Sequence, residues 1–369
     1  MSNPLPIRLA QLDVLRFLAI FLVIGNHLPV CPPETSFVLH KITETWNRGG
    51  WVGVDLFFVL SGFLVSGLLF REYQKTEKLD FKKFLIRRGF KIYPPFWFLI
   101  LVTALVTKFV TNSFSKQGIV GELLFLQNYY GAYWQHTWSL AVEEHFYLFL
   151  CLLFFLLLRF RKLPFESLPK IFMIIAIACF SMRYANGSYG VYQYLYIIEP
   201  THLRLDSLFF GVLISYYWHF KNLSENSFLA KNKLLLASIG VACFIPPFIF
   251  EVNSHFWMGV LGVVFLYLGS GLLLVTFLKL DFSKSKFLLF LAMIGTYSYS
   301  IYLWNMPTQY WMYEVLTYFF GDFSWWFFAI MYFFGTFLVG IGMSKLIEYP
   351  VLKIRDKYFP SKSSPMVKI

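Results

Sequence analysis

The chain has 369 residues, of which 58% are hydrophobic, 21% aromatic and only 14% charged. Soluble domains carry nearer a quarter charged residues, so too little polar surface exists to face water all round, and no stretch reads as an independent soluble domain. The formal net charge of +12 does not indicate nucleic acid, because the basic residues sit in short loops between apolar runs, where they set topology.

A membrane span needs roughly 20 mostly apolar residues. Ten such runs follow one another at 11–30, 51–70, 90–110, 138–158, 169–185, 200–218, 234–250, 256–278, 287–307 and 325–346. They are continuous and do not alternate, which predicts an all-α integral membrane protein, a bundle of about ten transmembrane helices embedded in a lipid bilayer. The first run has no small-residue cleavage site behind it and reads as a retained helix. With the N-terminus in the cytosol, the segments on that side hold 25 of the 32 Lys and Arg, from Arg8 through the eight between 71 and 91 to the six from Lys345 onward. Lys41, Arg48, Lys108, Lys116 and Arg183 fall at or beyond the outer ends, and the loop 308–324 has no Lys or Arg. Such asymmetry predicts an even number of spans with both termini cytosolic. Residues 1–369 form one membrane domain ending in a short basic tail, 349–369. No internal repeat is visible, which weighs against the common transporter folds. Cys31, Cys151, Cys179 and Cys243 are scattered, with no metal-binding spacing and no disulfide framework.

Ionisable groups inside spans are costly and are functional candidates by default. The first span carries Arg16 near its cytosolic end and His27 near its outer end. Eleven residues return to nearly the same helix face after a rise of roughly 16 Å. The second span opens GGWVGVDLFFVLSGFL, with Asp55 near the outer end and glycines that permit close helix approach. Before and within the third, KKFLIRRGFKIYPPFW places Lys82, Lys83, Arg87, Arg88 and Lys91 at the cytosolic rim, where with Arg16 they suit a phosphorylated ligand. The fourth opens TWSLAVEEHFY, with Ser139 and Glu143 on one face. The sixth opens THLRLDSLFFG, with Arg204 and Asp206 at the same outer level. Topology thus puts His27, Asp55, Ser139, Glu143, Arg204 and Asp206 in one outer layer.

Plainer roles compete with these. The Arg87, Arg88 and Lys91 run also fits topology and lipid headgroup contact alone. Arg204 and Asp206 fit a structural ion pair, Asp55 a brace at a helix junction, and His27 a hydrogen-bonded interfacial histidine. His136, Glu144 and His145 read as interfacial rather than catalytic.

Six motifs in order resemble the acyltransferase 3 family of membrane O-acyltransferases, over about residues 8–348. They are Arg16-x10-His27, the Asp55 segment, the basic pattern before IYPPFW, WSLAVEEHFYL, RLDSLFFG at 204–211 and SYSIYLWNMP at 298–307. The resemblance implies an enzyme that moves an acyl group, acetyl above all, from acyl-CoA to a hydroxyl of a carbohydrate or glycan. Family acceptors include lipopolysaccharide, peptidoglycan, exopolysaccharides and glycosylated small molecules. It implies a catalytic His27, donor handling by Arg16 and the Arg-x2-Arg motif, acetyl-CoA as co-substrate, and no permanently bound cofactor or metal. In a bacterial host the expected location is the inner (plasma) membrane. Two positions depart from the family pattern. Arg-x2-Arg is Arg88-x2-Lys91, and lysine neutralises a phosphate without the bidentate fork. Asn305 stands where many members have His. Some members continue into an extracytoplasmic hydrolase-like domain; with the chain ending soon after the tenth span, handover to an extracytoplasmic polymer calls for a partner protein or a lipid-linked acceptor.

The resulting expectation is a donor held at the cytosolic rim by Arg16, Arg88 and Lys91, its pantetheine arm threaded between helices. His27 then acts as general base, oriented by Glu143 or Asp55, with Arg204 or Ser139 facing the oxyanion. A covalent acyl-histidine remains open as an alternative. The rival classes are a multi-pass exporter, which moves substrate without consuming donor, and a non-catalytic scaffold, which tolerates neutralisation of His27, Glu143 and Asp55. A Ser hydrolase is disfavoured because no G-x-S-x-G elbow occurs.

Overall fold

The computed structural model describes residues 10–188 and 194–360, all of whose regular structure is helical. Arg8, Lys362 and Lys368, which enter the charge asymmetry, lie outside these residues. In chain order the α-helices are α1 (Ala10–His27), α2 (Phe37–Gly49), α3 (Gly53–Thr76), α4 (Phe81–Phe109), α5 (Lys116–Leu123) and α6 (Trp138–Phe160). Then come α7 (Leu168–Ser188), α8 (Tyr194–Ile197), α9 (Leu205–Phe220), α10 (Ser227–Lys231), α11 (Lys233–Ala242) and α12 (Pro246–Ile249). The chain continues through α13 (Val263–Leu278), α14 (Lys286–Gly295), α15 (Ser298–Phe320), α16 (Trp325–Met343) and α17 (Tyr349–Tyr358). Seven helical runs are long and apolar enough to cross a membrane, eight if α14 and α15 count as one bent span. With the shorter α9 and α11–α12, about ten helices match the ten apolar runs. The protein is an integral, multi-pass membrane protein.

Two boundaries differ from the hydropathy reading. The run 287–307 is not one helix: α14 and α15 meet at 66°. Gly295 sits against the backbone of Asp13 in α1, where a Cβ would stand 1.8 Å from the Asp13 carbonyl oxygen. The chain turns at this contact although its apolarity is unbroken. The segment 308–324 is helical as far as Phe320 rather than a loop.

The core of the bundle is the α3–α9 pair. The two helices run parallel and nearly touch. A Cβ at Gly62 would stand 1.9 Å from the Leu208 carbonyl oxygen, and one at Gly211 2.2 Å from that of Val59. Only glycine allows this approach, which gains backbone packing where apolar lipid offers no hydrophobic drive. Helix ends are closed locally. Asp80 caps α4, accepting from the Lys83 amide at 3.0 Å, and Ser324 caps α16, accepting from the Phe327 amide at 3.3 Å. At the end of α1 the freed carbonyls find side chains from two other helices. Gln309 donates to His27 O at 2.6 Å, Trp325 to Pro29 O at 2.9 Å and Tyr332 to Ile24 O at 3.3 Å. The last turn of α1, which carries His27, is thereby tied to α15 and α16.

Candidate active site

Of the cavities that the described residues enclose, two bear on the expected site residues. The first, of about 470 Å³, is lined by α1, α3, α4, α6, α15 and α17. Its walls carry Arg16, Arg71, Lys83, Arg87, Arg88, Lys91 and Arg355, against Glu72, Asp80 and Glu143. The expected basic group of Arg16, Arg88 and Lys91 therefore converges on one space, although it comes from two helices far apart in sequence. Arg16 is held by Asp13 one turn before it. Arg87 pairs with Asp356 at 3.0 Å and also donates to the Phe359 carbonyl. Arg88 lies over the rings of Phe84 and Tyr147, at 5.8 and 5.5 Å, and with Lys91 it faces Glu143.

The second cavity, of about 520 Å³, contains His27 together with His136, Asn26, Asn47, Gln135, Glu199 and Asn253 among its polar lining, and Trp51, Trp138 and Tyr194 among its aromatic lining. Val54 and Tyr302 belong to the walls of both cavities. At this partition Tyr302 donates to the His136 carbonyl at 2.5 Å, and its hydroxyl is 2.6 Å from Ser139 Oγ. Ser139 itself lines the basic cavity.

His27 has an unexpected neighbour. Its ring centroid is 6.0 Å from that of His136, at 75°. His136 is buried, and its Nε2 bonds the Leu303 carbonyl at 3.2 Å. That nitrogen carries the proton and leaves Nδ1 as an acceptor. His136 Nδ1 and His27 Nδ1 are both buried without a protein partner. The interfacial reading of His136 is thus corrected, because the loop before α6 folds inward over the end of α1. Glu144 is likewise buried, accepting from Tyr93 at 2.9 Å. His145 is half-buried against Thr201, at 2.7 Å.

The outer polar layer resolves into separate groups. Asp55 and Arg204 pair at 2.6 Å, with Ser207 donating to the same carboxylate at 3.2 Å. Asp206 pairs with Arg183 at 2.7 Å, and Arg183 also donates to Leu203 O at 2.5 Å. All four charged side chains are fully buried. Arg204 and Asp206 are not each other's partners, and Arg183 is buried in an ion pair rather than exposed in a loop. Two residues apart at the start of α9, Arg204 and Asp206 point to different neighbours, α3 and α7. Asp55, Arg204 and Asp206 line neither cavity. The expectation that Asp55 orients His27, or that Arg204 faces an oxyanion, is therefore corrected: pairing consumes these charges. Glu143 does not orient His27 either. It accepts from Tyr147 at 2.5 Å inside the basic cavity. The side chain beside the His27 imidazole is the buried amide of Asn305, which donates to Tyr302 O at 2.7 Å. An Asn at this place stands against the ring without adding a further titrating group, and its Oδ1 is buried with no hydrogen-bond partner of its own. Among the described residues no group of three or more His, Cys, Asp or Glu could hold a metal ion.

The extramembrane carboxyls near the second cavity are also buried. Burial pushes Glu199 up to about 7, only partly offset by Gln135, which donates to it at 2.5 Å. Glu122 rises to about 7 for the same reason, despite accepting from the Trp134 amide at 2.8 Å and Thr137 at 3.2 Å.

Peptidoglycan O-acetyltransferase OatA of Listeria monocytogenes is 28% identical over 325 residues, covering 80% of this chain and 49% of the relative. O-acetyltransferase OatA of Staphylococcus aureus (strain NCTC 8325) is 27% identical over 295 residues, covering 74% and 48%. The chain spans about half the length of these relatives. No solved structure matches it. The acyltransferase 3 family, described as an acyltransferase domain, matches residues 9–345, which takes in both cavities and the partition between them except the α17 wall. With its ten-run membrane bundle matched almost end to end, the chain belongs to the acyltransferase 3 family of acyl-transferring enzymes.

Proposed function

We propose that this membrane acyltransferase moves an acyl group, acetyl in the first instance, from acyl-CoA in the basic cavity to a carbohydrate hydroxyl in the cavity of His27. One observation carries the reading: a cation-lined cavity and a histidine-containing cavity share a wall at Tyr302 and Val54. Arg16, Arg88 and Lys91 suit the phosphates of the nucleotide, and the thioester end reaches the partition. The second cavity has the chemistry of a sugar site, with aromatic faces at Trp51 and Tyr194 beside amide and carboxyl groups. That one relative is named for peptidoglycan supports a glycan acceptor, lipid-linked or handed on by a partner protein. With both termini cytosolic, the basic cavity opens inward and the His27 cavity outward.

In the proposed chemistry His27 removes the proton of the acceptor hydroxyl as its oxygen attacks the thioester carbonyl. The tetrahedral oxyanion accepts a hydrogen bond from the Ser139 hydroxyl at the partition, which turns from the Tyr302 oxygen to it, while Tyr302 stays bonded to the His136 carbonyl. Collapse breaks the carbon–sulfur bond, and the CoA thiolate takes the proton from the imidazolium. Asp55 acts at a distance, by fixing α3 against α9.

The test uses purified protein in lipid nanodiscs with radiolabelled acetyl-CoA and a glycan extract. Label transfer or CoA release should fall by about 10²–10⁴-fold in His27→Ala while acetyl-CoA binding persists. Retained turnover in the variant would move the catalytic assignment elsewhere. Substrate export without donor consumption would replace the enzyme by an exporter.

A further inference from the structure

The helix α17 lies past the residues that the family match covers, and the reaction above makes no use of it. It is docked on the start of α4. Arg87 donates to the Phe359 carbonyl, and the rings of Phe90 and Phe359 stand 5.7 Å apart. Two arginines of this junction, Arg87 from α4 and Arg355 from α17, line the basic cavity. They converge on one atom: Asp356 Oδ1 is 3.0 Å from Arg87 Nη2 and 2.9 Å from Arg355 Nη2. Two guanidiniums this close repel, and the single carboxylate between them offsets only part of that. Asp356 is also the most solvated of the three, 54% exposed against 21% for Arg87 and 17% for Arg355, so water screens its charge. It does not line the cavity that both arginines line. Nor are the arginine donors used up. Arg355 spends Nε and Nη2 on Asp356, and Arg87 spends Nη2 on Asp356 and Nη1 on Phe359, whereas each guanidinium carries five N–H donors. Two cations with one shared anion therefore leave a net positive charge, with donors to spare, at the wall of a cavity of about 470 Å³.

We propose that Arg87 and Arg355 form an outer phosphate subsite of the donor cavity, which takes a phosphate of the CoA nucleotide and makes α17 part of the donor site. Arg87 precedes Lys91 by four residues, about 6 Å along α4, so the subsite lies one turn nearer the start of that helix than the deepest α4 cation. Lysine in place of one family arginine at Lys91 gives up bidentate phosphate recognition there, and Arg355 brings a further guanidinium to the same cavity. Asp356 has two effects of opposite sign. It holds the two guanidiniums side by side, and its charge opposes an arriving phosphate. This deepens the donor reading above and rests on it.

The experiment measures binding of acetyl-CoA and of 3′-dephospho-acetyl-CoA to the nanodisc-embedded protein by competition with radiolabelled acetyl-CoA. Arg355→Gln should weaken acetyl-CoA by about tenfold, the scale of one charge-assisted hydrogen bond. Asp356→Asn keeps the size and an acceptor oxygen but removes the charge. It should tighten acetyl-CoA by about threefold, the scale of one screened surface carboxylate, and it provides the readout if Arg355→Gln does not fold. Opposite signs separate a phosphate subsite from a mere fastening of α17 to α4, where both variants loosen the same junction and act in the same direction. A loss in Arg355→Gln confined to acetyl-CoA supports the subsite and identifies its phosphate as the 3′-monoester. An equal loss with 3′-dephospho-acetyl-CoA supports it and identifies the diphosphate. Unchanged acetyl-CoA affinity in either variant, or weakening in both, would overturn the subsite and leave the donor reading intact. Failure of wild type to bind either compound would bring down the donor reading and the subsite with it.

Discussion

The buried charges of this bundle behave in two ways. Around the start of α9, Asp55–Arg204 and Asp206–Arg183 are paired within 2.7 Å and sealed from solvent. Around the start of α4, Arg88 lies on aromatic rings, and with Lys91 it lines a cavity. Both regions look alike in sequence, as ionisable residues at the mouth of a span. The difference is what each charge faces. The first group pairs within the protein, sealed from solvent, and so holds α3, α7 and α9 in register. The second is turned toward a space large enough for a ligand. Intramembrane charge is a sign of function only where the fold leaves it facing a cavity.

The comparison breaks if the first group proves dispensable to folding. Arg204→Gln leaves Asp55 as an uncompensated buried carboxylate and should cost about 3–5 kcal/mol of stability, whereas the double change Asp55→Leu with Arg204→Met should recover much of it. Unfolding of the detergent-solubilised protein measures both, and an unaltered midpoint in the single variant would contradict the structural assignment.

A titration sharpens it next. Glu199 is buried without a cation, and its carboxyl is raised to about 7 from an unfolded value near 4.5. Below the unfolded value both states are protonated and nothing is lost. Between the two values the folded state keeps a proton that the unfolded state has released, so stability falls as pH rises, fully so above about 7. The loss is about 3 kcal/mol at most. The melting temperature should drop between about pH 4.5 and 7, and Glu199→Gln should flatten part of that drop, Glu122 supplying a comparable part. A profile equally steep in the variant would remove Glu199 as a source.

The smallest effect is on the cavity side. Arg88→Ala should raise the donor KM by about tenfold with a melting temperature close to wild type. A large thermal shift with unchanged KM would place Arg88 in the structural group.

How far these two groups can be read in the chain follows from what sets them apart. The helices α1, α3, α4, α6, α7 and α16 are legible because an uninterrupted apolar run has no other stable form in lipid. The bend at Thr296 and Tyr297 is not, since its cause is contact with Asp13 some 280 positions away. Arg16, Arg88 and Lys91 sharing one space follows from topology, as all three sit near the starting ends of two spans that run the same way. Arg183 reads as an outer charge because its partner, Asp206, lies on another helix. His136 resembles an interfacial anchor until α1 is seen to deliver His27 beside it; its spacing one turn before Ser139 was the available signal.

Tyr302 belongs to both cavities at once. In the proposed orientation water approaches it from either side, and the membrane voltage falls across one layer of side chains instead of about 30 Å of hydrocarbon. A neutral acetyl group crosses that septum without electrical work. An acyl group bearing a carboxylate would be driven outward by about 2.3 kcal/mol per 100 mV of inside-negative potential. The septum is therefore indifferent to the energised state of the cell for one class of cargo and coupled to it for another.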